Sequence, residues 1–206
     1  MKKLFFTAAV AVLGFANVTA QEEAKTFGFS EGDLFIEGMV GFNSSEDKNT
    51  EEKASGFEIS PKLGYFISED LAIGGMLSFE SAKEEVAGTD TADQSTFGVG
   101  AFARYYFLDL GERFKTYGEF GVAYASQDDK LNDYKVNAIG AGLDLGINYF
   151  VTEKIALTFG LKNVLSFASA KADVDGAEAV TEFNLGFGDV SNPFGGNAAF
   201  GILFKL

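Results

Sequence analysis

The chain of 206 residues has no cysteine, no histidine, no tryptophan and only two prolines. The missing cysteine excludes a disulfide framework, a thiolate metal site and a lipid-modified cysteine. The missing histidine removes the side chain most often used as a general base, which disfavours catalysis. Long apolar runs are also lacking beyond the first twenty residues. The longest, near Phe97 to Leu108, is broken by Arg104, whereas a spanning helix needs about 20 apolar residues in succession.

The first twenty residues read as a leader. Lys2 and Lys3 precede an apolar run from Leu4 to Ala16, and Val18, Thr19 and Ala20 place small residues before Gln21, the pattern of a secretory signal peptide. Export is the expected consequence. Removing residues 1–20 takes away two lysines and no acids, so the mature chain carries 14 basic against 30 acidic residues, net −16. That balance speaks against nucleic acid as a partner. The 186 residues that follow the cut suit one domain.

What the chain has in quantity is glycine, 25 residues, and phenylalanine, 23. They are arranged with period two. From Ile139 to Val151 the odd positions are Ile, Ala, Leu, Leu, Ile, Tyr and Val, while the even ones are Gly140, Gly142, Asp144, Gly146, Asn148 and Phe150. After Thr152, Glu153 and Lys154 the alternation resumes with Ile155, Leu157, Phe159 and Leu161 against Ala156, Thr158, Gly160 and Lys162. The pair reads as an antiparallel hairpin with one bulky apolar face and one face of glycine, small and charged residues. In a water-soluble barrel the apolar face would turn inward and leave an outer surface of glycine, which weakens strands and packs nothing. With the bulky face in lipid, the glycines fall inside a narrow tube where small residues are needed. A chain without spanning helices satisfies its backbone in lipid only as a closed barrel.

Similar alternation marks strands at about residues 33–43, 57–65, 71–80, 97–107 and 116–125, with a closing strand through Ala198, Phe200, Ile202, Phe204 and Leu206. Pro61 falls on the outward face of the second strand, where a bulge or a weakened hydrogen bond is expected. Gln21 to Gly32 is polar and expected to be an unstructured periplasmic lead-in, leaving residues 33–206 for the barrel. Phe183, Leu185 and Phe187 also alternate. As a membrane strand they would make nine, an odd count, so they are expected to form a ladder above the membrane within a long fourth loop. A ten-stranded barrel is the alternative. Connections alternate between short turns, at 68–70, 109–113 and 152–154, and long acidic stretches at 44–53, 81–95 and 126–134. Outer-membrane barrels show this asymmetry, with turns in the periplasm and loops outside. Outward aromatics gather at strand ends: Phe42, Phe57, Phe79, Phe97, Tyr124 and Phe167 on the loop side, Tyr65, Tyr105, Phe107, Tyr149 and Phe204 on the turn side. They form the two interfacial girdles.

On leader, eight alternating strands, loop asymmetry and terminal strand, the chain resembles the small outer-membrane barrels of the OmpA and OmpX type. The resemblance covers residues 33–206 and implies an all-β, eight-stranded antiparallel up-and-down transmembrane β-barrel in the outer membrane of a Gram-negative bacterium. It implies that the terminal run with Phe200, Ile202, Phe204 and Leu206 is the assembly signal read by the barrel-insertion machinery, although that signal usually ends in an aromatic and this one ends in Leu206. It also implies lipid and lipopolysaccharide as the surroundings, and loops presented for contact with a surface partner that the sequence does not name.

Charged residues whose parity points inward are Glu37, Glu58, Lys62, Glu80, Arg104, Glu119, Asp144 and Lys162. Opposed positions in a hairpin share a fixed sum, which places Asp144 across from Lys162, and brings Glu37 close to Lys62 and Arg104 close to Glu119. These six are expected to form a lumen ion-pair network, because unpaired charges in a tube cost several kcal/mol each. The network either fills and orders the barrel or, as the OmpA resemblance suggests, acts as a gate whose pairs exchange. Glu58 and Glu80 are expected at the outer mouth, as a solvated rim or a weak cation site. Gly98, Gly100 and Ala103 have the spacing of a dinucleotide fingerprint, but the segment continues as a strand where that motif needs a helix. Asp173, Asp175, Gly176 and Glu178 lack the ligand set of a calcium loop. No cofactor, catalytic residue or metal site is expected. The expected function is non-catalytic support of the envelope with presentation of acidic surface loops; the alternatives are a narrow pore or transporter for small solutes, and a soluble lipocalin-like binder.

Overall fold

The computed structural model describes residues 27–186 and 198–206. The expected leader, the lead-in up to residue 26 and Phe187 lie outside the described residues. Among the described residues nine strands follow in order: β1 Leu34–Asp47, β2 Glu52–Phe66, β3 Leu71–Val86, β4 Thr89–Leu110, β5 Phe114–Asp129, β6 Tyr134–Phe150, β7 Ile155–Ala172, β8 Val180–Leu185 and β9 Ala198–Lys205. Each pairs antiparallel with its neighbour from β1 to β7, and β9 joins β7 to β1. The ring therefore has eight members. β8 stands outside it, a six-residue ladder on the upper part of β7 from Leu165↔Leu185 to Ala170↔Val180. It occupies the same edge of β7 that β9 occupies lower down, from Ile155 to Leu161.

The two faces sort as the alternation demands. Val40, Phe42, Leu63, Tyr105, Phe120 and Phe200 are exposed on the outer wall, while Phe35, Glu37, Ser60, Lys62, Phe102 and Glu119 are buried inside. An outer wall this apolar is accounted for by hydrocarbon around it. Phe107 and Leu108 are both exposed because the β4–β5 ladder slips one residue between Tyr106 and Leu108. Such a bulge turns two successive side chains to the same face.

Two sequence expectations need correction. The acidic stretches are largely not loose loops. β3 and β4 stay paired as far as Val86↔Thr89, closed by Ala87 and Gly88 at φ +50 and +78°, the two-residue turn that matches strand twist. β1 and β2 likewise pair to Asp47↔Glu52. Over residues 44–55 and 81–95 the external rim is thus built of extended, paired hairpins. Of the two outcomes expected at Pro61, the weakened hydrogen bonding is the one found: the β2–β3 ladder lapses at residues 60 and 61 and resumes at Lys62↔Met76 in unchanged register, without a bulge. Proline has no N–H to donate, and the lapse falls where that donor is missing. Residues 27–32 are not unstructured either; they fold back across the turn-side mouth of the barrel.

Candidate functional site

The barrel interior divides at mid-depth into an ionic layer, an aromatic layer beneath it and an open cup above. Arg104 on β4 is the centre of the ionic layer and is 0% exposed. Its Nη1 and Nη2 donate to Glu37 Oε2 and Oε1 at 2.7 and 2.8 Å, and its Nε donates to Glu119 Oε2 at 2.6 Å. The two-point fork on Glu37 fixes the plane of the guanidinium. Lys62 donates to the other oxygen of Glu119, and Thr158 Oγ1 donates to Glu37 Oε2 at 3.3 Å. Two acids and two bases leave this buried set neutral. The Arg104 guanidinium carbon also sits 4.1 Å from the centre of the Tyr117 ring and 5.2 Å from that of Phe35, contacts that favour a cation out of water.

The six residues expected to form one network do not all join it. Glu37 and Lys62 are cross-strand neighbours, as are Arg104 and Glu119. Glu37, however, takes its charge partner from Arg104 across the lumen rather than from Lys62 beside it. Asp144 does not face Lys162. The β6–β7 register shifts between Leu143 and Leu145, so that Lys162, Asn163 and Val164 bulge opposite the single residue Asp144. Asn163, at φ +55°, donates its backbone N–H to Asp144 Oδ1 at 2.7 Å. Lys162 instead lies 3.6 Å from Glu58. Glu58 and Glu80 are direct cross-strand partners on β2 and β3. Glu58 also accepts from Ser60 Oγ at 3.0 Å.

Above the ionic layer a cavity of about 420 Å³ opens outward, lined by Glu58, Glu80, Asp144, Lys162, Met39 and Met76 among others, with Gly98, Gly100, Gly121, Gly140 and Gly142 in its walls. A Cβ at Gly100 would come within 2.7 Å of Met76 Cε and 2.5 Å of the Val122 carbonyl oxygen, so there glycine is what the close approach of neighbours requires. Beneath the ionic layer Phe35, Phe66, Tyr106, Phe150 and Leu203 form a packed floor. Tyr106 OH accepts from Asn148 Nδ2 at 3.0 Å.

The segment before β1 completes that floor, and sequence reasoning missed it. Phe29 lies nearly parallel to Phe66 with ring centres 4.2 Å apart, and within 4.9 and 5.2 Å of Tyr106 and Phe150. Phe27 reaches Phe150, and the Arg113 guanidinium lies 4.3 Å above its ring. The signal was present in two phenylalanines within a stretch otherwise polar, but no periodicity marked them.

On the external rim, Lys83 and Asp90 pair at 2.9 Å, as do Lys130 and Asp93. The hydrogen bond and charge of Asp90 raise the Lys83 ammonium above its ordinary pKa. Hydrogen bonds from the side chain and backbone of Asn132, and from the backbone of Leu131, hold the Asp129 carboxyl below the usual range. Among the described residues, no group of three or more acids is placed to hold a metal ion.

The family model of the outer membrane protein beta-barrel domain matches residues 7–188. No curated protein matches the chain. Among solved structures, the chain is similar to the outer membrane protein OprG from Pseudomonas aeruginosa, with 15% identity, TM-score 0.52, and coverage of 87% of this chain and 98% of that one. It also matches Neisserial surface protein A, with 19% identity, TM-score 0.49 and coverage of 85% and 100%. The Escherichia coli outer membrane protein W gives 14%, 0.47, 86% and 99%. At such identities the likeness to OprG speaks for the fold alone. The family match spans most of the chain and agrees with the eight-membered ring and its apolar outer wall. The chain therefore belongs to the outer membrane protein β-barrel family and resides in the outer membrane of Gram-negative bacteria.

Proposed function

We propose that this protein is a non-catalytic barrel that supports envelope integrity and presents its acidic hairpin rim to the exterior, set among outer-membrane lipid and lipopolysaccharide. The observation that carries the reading is the occlusion of the lumen at mid-depth, where Glu37, Lys62, Arg104 and Glu119 are all buried and mutually paired. Unpaired, these charges would be costly; paired, they fill the tube and hold β1, β2, β4 and β5 at fixed separation. β9 closes the ring with Phe200 and Ile202 on its outward face. This placement supports reading Phe200, Ile202, Phe204 and Leu206 as the segment handled by the insertion machinery.

A second reading, a narrow pore, is favoured by the outward-open cup and by Glu119, whose two oxygens serve both Lys62 and Arg104 and so offer alternative pairings. Planar-bilayer recording of the refolded protein separates the two. The first reading predicts a silent barrel, together with increased uptake of an apolar dye by cells that lack it. Discrete openings that change size in Lys162→Ala would establish the pore instead.

A further inference from the structure

The strap from Phe27 to Asp33 lies outside the barrel wall, yet it is held in place by several independent contacts. Its backbone doubles back at Gly28 and Gly32, with φ of +123 and +92°. That is the left-handed region glycine enters without a Cβ penalty. Lys205 of the last strand donates to the Gly28 carbonyl at 2.9 Å and lies 3.4 Å from Asp33. Ser30 N–H is received by Asp33 Oδ2 at 2.8 Å, and Gly32 N–H by the Phe66 carbonyl at 2.9 Å. These contacts present Phe29 to the aromatic floor and Phe27 to Phe150.

We propose that this strap is a displaceable second seal on the periplasmic mouth, in series with the ionic layer, so that exchange of the ion pairs alone does not open the barrel. The proposal rests on the lumen being closed in the resting protein, as argued above. The two seals differ in kind. An ionic layer can swap partners and let water through, whereas a plug of packed rings excludes water and stops ions by dewetting. The strap is also not part of the wall. None of the nine strands includes it, so withdrawing it breaks side-chain packing and a few hydrogen bonds at the mouth, among them the backbone bonds of Gly32 and Asp33 with Phe66, and leaves the ladders between the strands themselves in place.

The test uses the full mature chain refolded and recorded in planar bilayers as four proteins: wild type, F27S/F29S, R104A/E37A, and the combination. R104A/E37A removes one base and one acid, and so leaves Lys62 and Glu119 paired. The expected result is discrete conductance in the combination alone, each protein having first been shown to migrate as a folded barrel. Conductance in either partial variant equal to that of the combination overturns the series arrangement, as does a silent but folded combination. A conducting wild type instead contradicts the closed-barrel reading. Should the combination fail to fold, Thr158→Cys supplies a single reporter thiol beside Glu37 in a chain without other cysteines. A charged thiol reagent added from the periplasmic side is expected to react about tenfold faster in F27S/F29S than with the strap intact. Equal rates overturn the proposal.

Discussion

Arg104→Met lowers the stability of the refolded barrel by about 3–5 kcal/mol, the loss expected when one partner of a buried charge set is removed. The substitution takes from Glu37 and Glu119 the partner they share and leaves only Lys62 to balance two carboxylates. The loss comes less from the missing bonds than from the stranded charge. Removing the matched acid as well therefore recovers much of it: Arg104→Met with Glu37→Leu leaves a neutral Lys62–Glu119 pair and fills the vacated space with apolar atoms. Replacing a buried ion pair with packed apolar side chains is often neutral. Urea-dependent folding into lipid vesicles measures both variants. A single variant as stable as the wild type would show that the layer is hydrated and not structural.

Phe120→Arg costs about 2–4 kcal/mol in the same assay, the range for arginine on the lipid face of a barrel near the bilayer midplane. Phe120 is exposed on β5, and its neighbours across the ladders are Ala103 and Leu143. It lies between Tyr124, near the external end, and the turn-side end of the strand at Phe114. The arginine would have to reach either headgroup region by extending along the wall. The same substitution at Tyr124, close to the interface, is expected to cost about 0–1 kcal/mol. The gradient between the two positions is the informative quantity, since a soluble protein would show none tied to height along the strand.

The orientation of the wall was legible because period-two alternation is a backbone property, and within each strand the outward bulky set kept one parity, even from Leu34 to Phe42 and odd from Phe57 to Tyr65. Cross-strand neighbours such as Glu37 with Lys62, and Arg104 with Glu119, followed from counting outward from the turns. Counting failed where β7 gains two residues opposite Asp144, because asparagine tolerates the left-handed conformation and Asn163 gives no other sign that it adopts it. The fork from Arg104 to Glu37 was illegible for another reason. It crosses the lumen between β4 and β1, and hairpin arithmetic reaches only the adjacent strand.

The acidic rim misled in the opposite direction. Residues 81–95 lack apolar alternation because both of their faces meet water, yet the backbone still pairs once Ala87 and Gly88 supply the turn. Polarity there reported solvent rather than the absence of a strand. The strap was hidden because Phe27 and Phe29 act singly, outside any periodic element.

Because the chain has no tryptophan, one introduced indole reports the environment of the wall without background. Val122 and Ala123 are adjacent on β5, the first exposed outward and the second lining the cup, so Val122→Trp and Ala123→Trp place the probe at nearly one depth on opposite faces. In vesicles of lipid brominated along the acyl chain, fluorescence of the first is expected to be strongly quenched and that of the second to be spared, with aqueous acrylamide giving the reverse order. Quenching of Ala123→Trp by the brominated chains with sparing of Val122→Trp would contradict the placement of apolar residues against lipid and of glycines and charges within.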